Sequence, residues 1–201
     1  MKYIHLIVGI VVFLGFATRA SGQNINLAAS GKYFEVGIEQ DGKPVPIDNH
    51  QASLPKKAFT LVFYFKQPDG ILINAAVTPE SFESARTGKP LKDIMGFDDL
   101  GMAEEAFNPK AMLIIASHAP HFWYYANDAE HRFNEVRRAN GMFICKRIVA
   151  NVLYRDTTGK FVALKEMPEN TLYLVFMRTE WTKDFSQQIE KQREYVKIIF
   201  R

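Results

Sequence analysis

Three of the chain's five histidines, His118, His121 and His131, fall within fourteen residues, and Glu130 stands beside the last of them. Neutral imidazoles together with a carboxylate form a donor set for zinc. The spacing does not reproduce a His-Glu-x-x-His signature, and no cysteine accompanies it. On an extended segment, moreover, His121 and His131 need not meet. Histidines at the surface or hydrogen-bonded around Pro120 account for the pattern without a metal. No cofactor is therefore expected, and zinc held by His118, His121, Glu130 and His131 is kept as the alternative.

The aromatic run Phe122-Trp123-Tyr124-Tyr125 overlaps this segment. If it is a strand, Phe122 and Tyr124 face one way while Trp123 and Tyr125 face the other with His121. No single stacking platform can use all four rings. Core packing is the commoner fate of large aromatics. The candidate ligand-binding set is accordingly His121, Trp123 and Tyr125.

Cys145 is the only cysteine, so no disulfide can form within the chain. It lies between Ile144 and Lys146 in an apolar run, where a free thiol behaves as a small buried hydrophobe rather than a nucleophile. The paired acids Asp98-Asp99 and Glu104-Glu105 read as solvated turn and helix-start residues, because acid/base work needs two carboxyls in one cleft. Gly31-Lys32, Gly42-Lys43, Gly88-Lys89 and Gly159-Lys160 are turn chemistry, far short of a phosphate-binding loop.

The elements that must position these groups are mostly strands. Phe59, Leu61, Phe63 and Phe65 alternate along one face of a strand, and Gln67-Pro68-Asp69-Gly70 turns toward a partner from Ile71 to Val77, predicting a hairpin. A second hairpin is expected around Thr157-Thr158-Gly159-Lys160, joining one long strand from about Met142 to Arg155 with Phe161 to Leu164. Further strands are read at Tyr33 to Glu39, Ala111 to Ser117, His121 to Ala126, Thr171 to Met177 and Tyr195 to Phe200. Helices look short: one begins at Thr78-Pro79-Glu80 and stops at Gly88, another is read over Gly101 to Phe107, and Asp128 to Asn140 is a third candidate whose thin apolar face, only Phe133 and Val136, leaves strand or loop open. The polar stretch Lys183 to Glu194 reads as helical or as a mobile edge. The pattern predicts a mainly β fold, an antiparallel β-sandwich with a few short helices. The alternative is an α+β arrangement with helices on one face of an antiparallel sheet.

Residues 1–22 read as a cleaved secretory signal. Lys2 and His5 precede an apolar run through Phe16, and Ala20-Ser21-Gly22 offers the small residues of a cleavage site before Gln23. The run is shorter than the ~20 residues that span a bilayer, so no retained transmembrane helix is expected. Without this segment the charge falls to 23 basic against 22 acidic residues, because Lys2 and Arg19 go with it. Near-neutrality argues against a nucleic-acid binder.

Residues 23–201 are then expected to form one β-rich domain, periplasmic or secreted, in a bacterial envelope setting. The leading functional expectation is a non-enzymatic domain that binds a protein or envelope ligand. One alternative is a metal-assisted hydrolase built on the segment 118–131. Another is an accessory subunit of an envelope assembly, which would carry an exposed apolar or aromatic patch.

Overall fold

A computed structural model describes residues 31–67, 70–94, 97, 113–115, 133–154 and 160–201, together with the backbone of 121–124. The expected signal, residues 1–22, lies outside the described residues, as does the expected helix over residues 101–107. Among the described residues the strands are β1 (Phe34–Gln40), β2 (Lys43–Val45), β3 (Gln51–Leu54), β4 (Phe59–Phe65), β5 (Gly70–Ala76), β6 (Ile114–Ile115), β7 (His121–Tyr124), β8 (Glu135–Ala139), β9 (Met142–Val149), β10 (Asn151–Tyr154), β11 (Lys160–Ala163), β12 (Thr171–Trp181) and β13 (Gln188–Phe200). The α-helix of the described residues is α1 (Glu80–Arg86).

The strands form two sheets. The five-stranded sheet runs β2-β1-β4-β9-β8, and the eight-stranded sheet runs β11-β10-β6-β5-β12-β13-β3 with β7 also paired to β5. Pairing is antiparallel except where β3 meets β13 and where β6 meets β5 and β10. Alternation drives the sheets together: Phe59, Leu61, Phe63 and Phe65 of β4 face Ile71 and Ile73 of β5 and Leu172, Leu174 and Phe176 of β12 in one apolar core. Phe63 lies at its centre, with ring centroids of Phe176, Phe133 and Phe65 at 5.4, 5.6 and 6.1 Å. The molecule is thus a β-sandwich.

A helical layer covers the other face of the larger sheet. Leu72, Val175 and Met177 pack there against Ala85, Ile94 and Phe97. Phe82 of α1 sits edge-on to Tyr173 and Tyr195 at 5.6 and 5.3 Å. Buried on both faces, β5 is apolar at nearly every position, as a central strand must be. The helix begins one residue later than the sequence indicates: Pro79 is the N-cap rather than the first helical residue, and Thr78 hydrogen-bonds the Glu80 carboxylate instead of capping the backbone. It stops at Gly88, whose φ of +77° suits glycine.

Several sequence expectations are corrected. β4 and β5 are not a hairpin: β4 pairs with β1 and β9, whereas β5 pairs with β12, β6 and β7, so their link crosses between sheets. Consecutive strands with one apolar face each can meet across a core as readily as edge to edge. The long strand expected from Met142 to Arg155 breaks at Ala150, leaving β9 in one sheet and β10 in the other. Of the readings open for Asp128 to Asn140, the helix gives way to the strand: Glu135–Ala139 is β8.

The sign that decides the last case is Asn140-Gly141. Both residues have positive φ, +52° and +76°, which makes the two-residue hairpin turn that joins β8 to β9. Asp41-Gly42 does the same between β1 and β2. The hairpin β10–β11 forms as expected.

Candidate functional site

The residues singled out for chemistry do not gather in the described part of the molecule. His118, Tyr125, Glu130 and His131 lie outside the described residues, as do Asp98, Asp99, Glu104 and Glu105. His121 and Trp123 are placed by their backbone in β7, in register with Ile73 and Ile71 of β5, while Phe122 and Tyr124 register with Leu72 and Gly70. The strand expected for this run is therefore present over residues 121–124. Among the described residues, no three His, Cys, Asp or Glu side chains come together as a metal-binding group.

Cys145 is fully buried in the core, as its neighbours foretell. Burial pushes its thiol up to about 12, so at neutral pH it is a protonated, inert group. Arg147, on the same face of β9, is buried as well, and desolvation lowers its pKa. Lys146 points the other way and binds Glu39 at 2.6 Å across the outer face of the smaller sheet. Tyr64 lies beside that pair, its pKa raised by burial first and by the Glu39 charge second.

The surface feature that sequence reasoning missed is the far end of β12 and β13. β5 accompanies β12 only to Met177, and β3 accompanies β13 only from Lys197 to Phe200. Beyond those limits the two strands continue as a ribbon from Arg178 to Gln192, so Lys183–Glu194 is a turn followed by strand rather than a helix. A bulge between Arg178 and Thr179 leaves Lys191 as the extra residue on β13. We refer to this ribbon as the finger.

Its tip is built by hydroxyls. Thr182 Oγ1 donates to Asp184 Oδ1 at 2.5 Å and accepts from the N–H groups of Ser186 and Gln187, both at 3.1 Å. Asp184 Oδ1 also accepts from Ser186 Oγ at 2.8 Å and from its N–H at 3.2 Å. These donors, the Thr182 hydroxyl foremost, hold the Asp184 carboxyl down at about 2. Backbone bonds from Phe185 N to Thr182 O and from Thr182 N to Gln187 O close the loop.

The closed loop leaves Phe185 at φ +56° and 75% exposed. Trp181 and Ile189 follow at 52% and 46%. Alternation puts Trp181 on the helix side of the ribbon with Met177, whereas Ile189, opposite Glu180, is on the side of the sandwich core. The tip is therefore a wedge, apolar on both flanks and at its point.

Charge along the finger is mixed and largely paired. Glu180 lies 3.1 Å from Lys191 and 3.8 Å from Arg178, and Glu190 binds Arg193 at 2.5 Å. The sequence signal that could have exposed this site is Thr-Lys-Asp-Phe-Ser, an Asp flanked by hydroxyls around a lone aromatic in a polar stretch. Helical spacing misleads here, because Trp181, Phe185 and Ile189 recur every four residues and would share one helix face.

Comparison of the chain with protein-family models, with curated proteins and with solved structures finds no match in any of the three. No helix among the described residues is long and apolar enough to cross a membrane.

Proposed function

We propose that this chain is an exported, non-enzymatic β-sandwich domain that binds a partner protein through the tip of the β12–β13 finger. The observation that carries the reading is Phe185, lifted into solvent by a turn that its own hydrogen bonds hold shut. An exposed aromatic on an ordered turn loses little conformational freedom on binding, and rigid aromatic anchors dominate interface energetics. Such a patch is also what an accessory subunit of an envelope assembly would present.

A protein fits the tip better than a lipid surface does. Asp184, next to Phe185, stays ionised down to about pH 2 and offsets the neighbouring Lys183, so the point of the wedge lacks the net positive charge that draws a protein to an anionic bilayer. The mixed charges behind it match a protein rim more closely than a phosphate surface. Support for a non-enzymatic role comes from Cys145, neutral and buried, and from Lys146 and Glu39, which satisfy each other. The export part rests on residues 1–22, and N-terminal sequencing of the exported protein should begin at Gln23.

A photo-cross-linking amino acid placed at position 185, and separately at exposed Ile148 on the other sheet, tests the tip in the producing cell. One discrete protein adduct is expected from position 185 and not from 148, competed by excess unmodified protein but not by Phe185→Ser protein. Equal adduct patterns from both positions, or none from 185, would overturn the reading. Co-sedimentation with anionic phospholipid vesicles in place of an adduct would assign the tip to lipid. Stoichiometric zinc that disappears with His121→Ala and His131→Ala would favour the hydrolase instead.

A further inference from the structure

A two-stranded ribbon that leaves its sheet is marginally stable alone, so something must hold the finger at a fixed angle. Two neighbouring residues at its base, Gln192 and Arg193, are in position to do so. Alternation sends their side chains to opposite faces of β13, and each reaches a different layer of the molecule.

On the sandwich side, the Gln192 amide acts as a one-residue strand beside the start of β1. Its Oε1 accepts from the N–H of Tyr33 at 2.6 Å and of Phe34 at 3.2 Å, and its Nε2 donates to Phe34 O at 2.8 Å. Nε2 also donates to Glu194 Oε1 at 3.0 Å, and the same oxygen takes Lys32 Nζ at 3.1 Å, tying the strand to the residues that precede β1.

On the helix side, Arg193 spreads its guanidinium over the end of α1. Nη1 donates to Ala85 O at 3.2 Å and Nη2 to Lys89 O at 2.7 Å. Carbonyls at a helix C-terminus carry partial negative charge, so a cation is favoured there. Glu190 fixes the fork from within the finger, accepting from Nε at 2.7 Å and from Nη2 at 2.5 Å.

We infer that Gln192 and Arg193 form a two-sided clamp that fixes the finger to both the smaller sheet and α1, and that they are the positioning residues for the tip. The bulge at Lys191 lies immediately distal to the clamp, so the ribbon's freedom to bend begins where the clamp ends. Geometry alone carries the clamp, while its importance for recognition rests on the tip being the binding site. A finger held this way meets its partner in one orientation, which removes an ordering cost from binding.

Amide hydrogen exchange on the free protein, read across residues 179–190 and across β4 and β5, tests the clamp without any partner. Exchange resolves local opening from global unfolding. The double variant Gln192→Ala, Arg193→Ala is expected to lose protection in the finger by roughly tenfold or more, since several charge-assisted and amide bonds go together. β4 and β5 are expected to change by less than about threefold.

Arg193→Lys keeps the charge but not the two-carbonyl fork, and should reproduce about half of the logarithmic loss. Should the double variant fail to fold, Arg193→Lys and Glu190→Gln carry the same test. Unchanged finger protection, or an equal loss in β4 and β5, would overturn the clamp. Because no partner enters the measurement, its failure leaves the cross-linking result at position 185 standing, and the reverse holds too.

Discussion

Phe63 and Phe185 are the same residue in opposite circumstances. Phe63 is fully buried at the junction of both sheets, ringed by Phe65, Phe133 and Phe176. Phe185 is 75% exposed and held out by a turn whose hydrogen bonds all lie within six residues. The interior gains its order from apolar area removed from water, and any polar group admitted there must be neutral or paired. At the tip, order comes from short polar bonds in solvent, and apolar area is left uncovered. The contrast separates what holds the fold from what the fold displays.

The largest effect that can break the comparison is truncation of each phenylalanine. Phe63→Ala should destabilise the protein by about 3–5 kcal/mol, because it opens a cavity that two rigid sheets cannot collapse. Phe185→Ala should move stability by no more than about 0.5 kcal/mol. Urea unfolding followed by far-ultraviolet circular dichroism measures both. A loss at Phe185 comparable to that at Phe63 would mean that the tip is structural rather than a display.

A smaller effect is expected at Cys145. Cys145→Ser places a hydroxyl among apolar core side chains, which should lower stability by roughly 1–3 kcal/mol. With its thiol pushed up to about 12, the native cysteine should resist alkylation at pH 8 and react only after unfolding. Fast labelling of folded protein would place Cys145 with the finger on the accessible side of the comparison.

The two regions also differ in how legible they are in the sequence. Core strands announce themselves: Phe59 to Phe65 and Leu172 to Phe176 alternate because water on one face and core on the other impose a period of two. Burial of Cys145 follows from the same rule. Which strands pair is another matter, since alternation fixes a face and says nothing of the neighbour, and so β4 and β5 were expected to pair yet sit in different sheets. Asn140-Gly141 carries hairpin chemistry, yet the charged strand Glu135–Ala139 before it lacks an apolar stripe because it is an edge, and so the segment reads first as a helix candidate. The finger was least legible of all. Its strands carry polar residues on both faces, so no apolar period of two marks them, and only turn chemistry distinguishes Thr182–Gln187 from a helix. The chemistry-bearing run from His118 to His131 was the loudest signal in the sequence, yet only the backbone of 121–124 in it falls within the described residues.

The smallest effect is the most local, and it tests what holds the tip. Asp184 titrates at about 2 in the folded protein against an ordinary 3.8, because Thr182 and Ser186 donate to its charged form. A carboxylate whose pKa is depressed by folding contributes stability that is complete above its unfolded value and is lost as the pH falls through the folded one. The turn should therefore be unchanged from pH 8 to about 4 and open progressively as the pH drops toward 2. Nuclear magnetic resonance follows this through the amide shifts of Phe185 and Ser186, which should titrate together with a midpoint near 2. Asp184→Asn keeps an acceptor oxygen of the same shape but removes the charge, so those shifts should become insensitive to acid while residues of β4 and β5 match the parent. A midpoint near 4 would mean that the hydroxyls do not hold the carboxylate. The tip would then be an ordinary solvated loop, and the exposed Phe185 would lose the rigidity that sets it apart from any other surface aromatic.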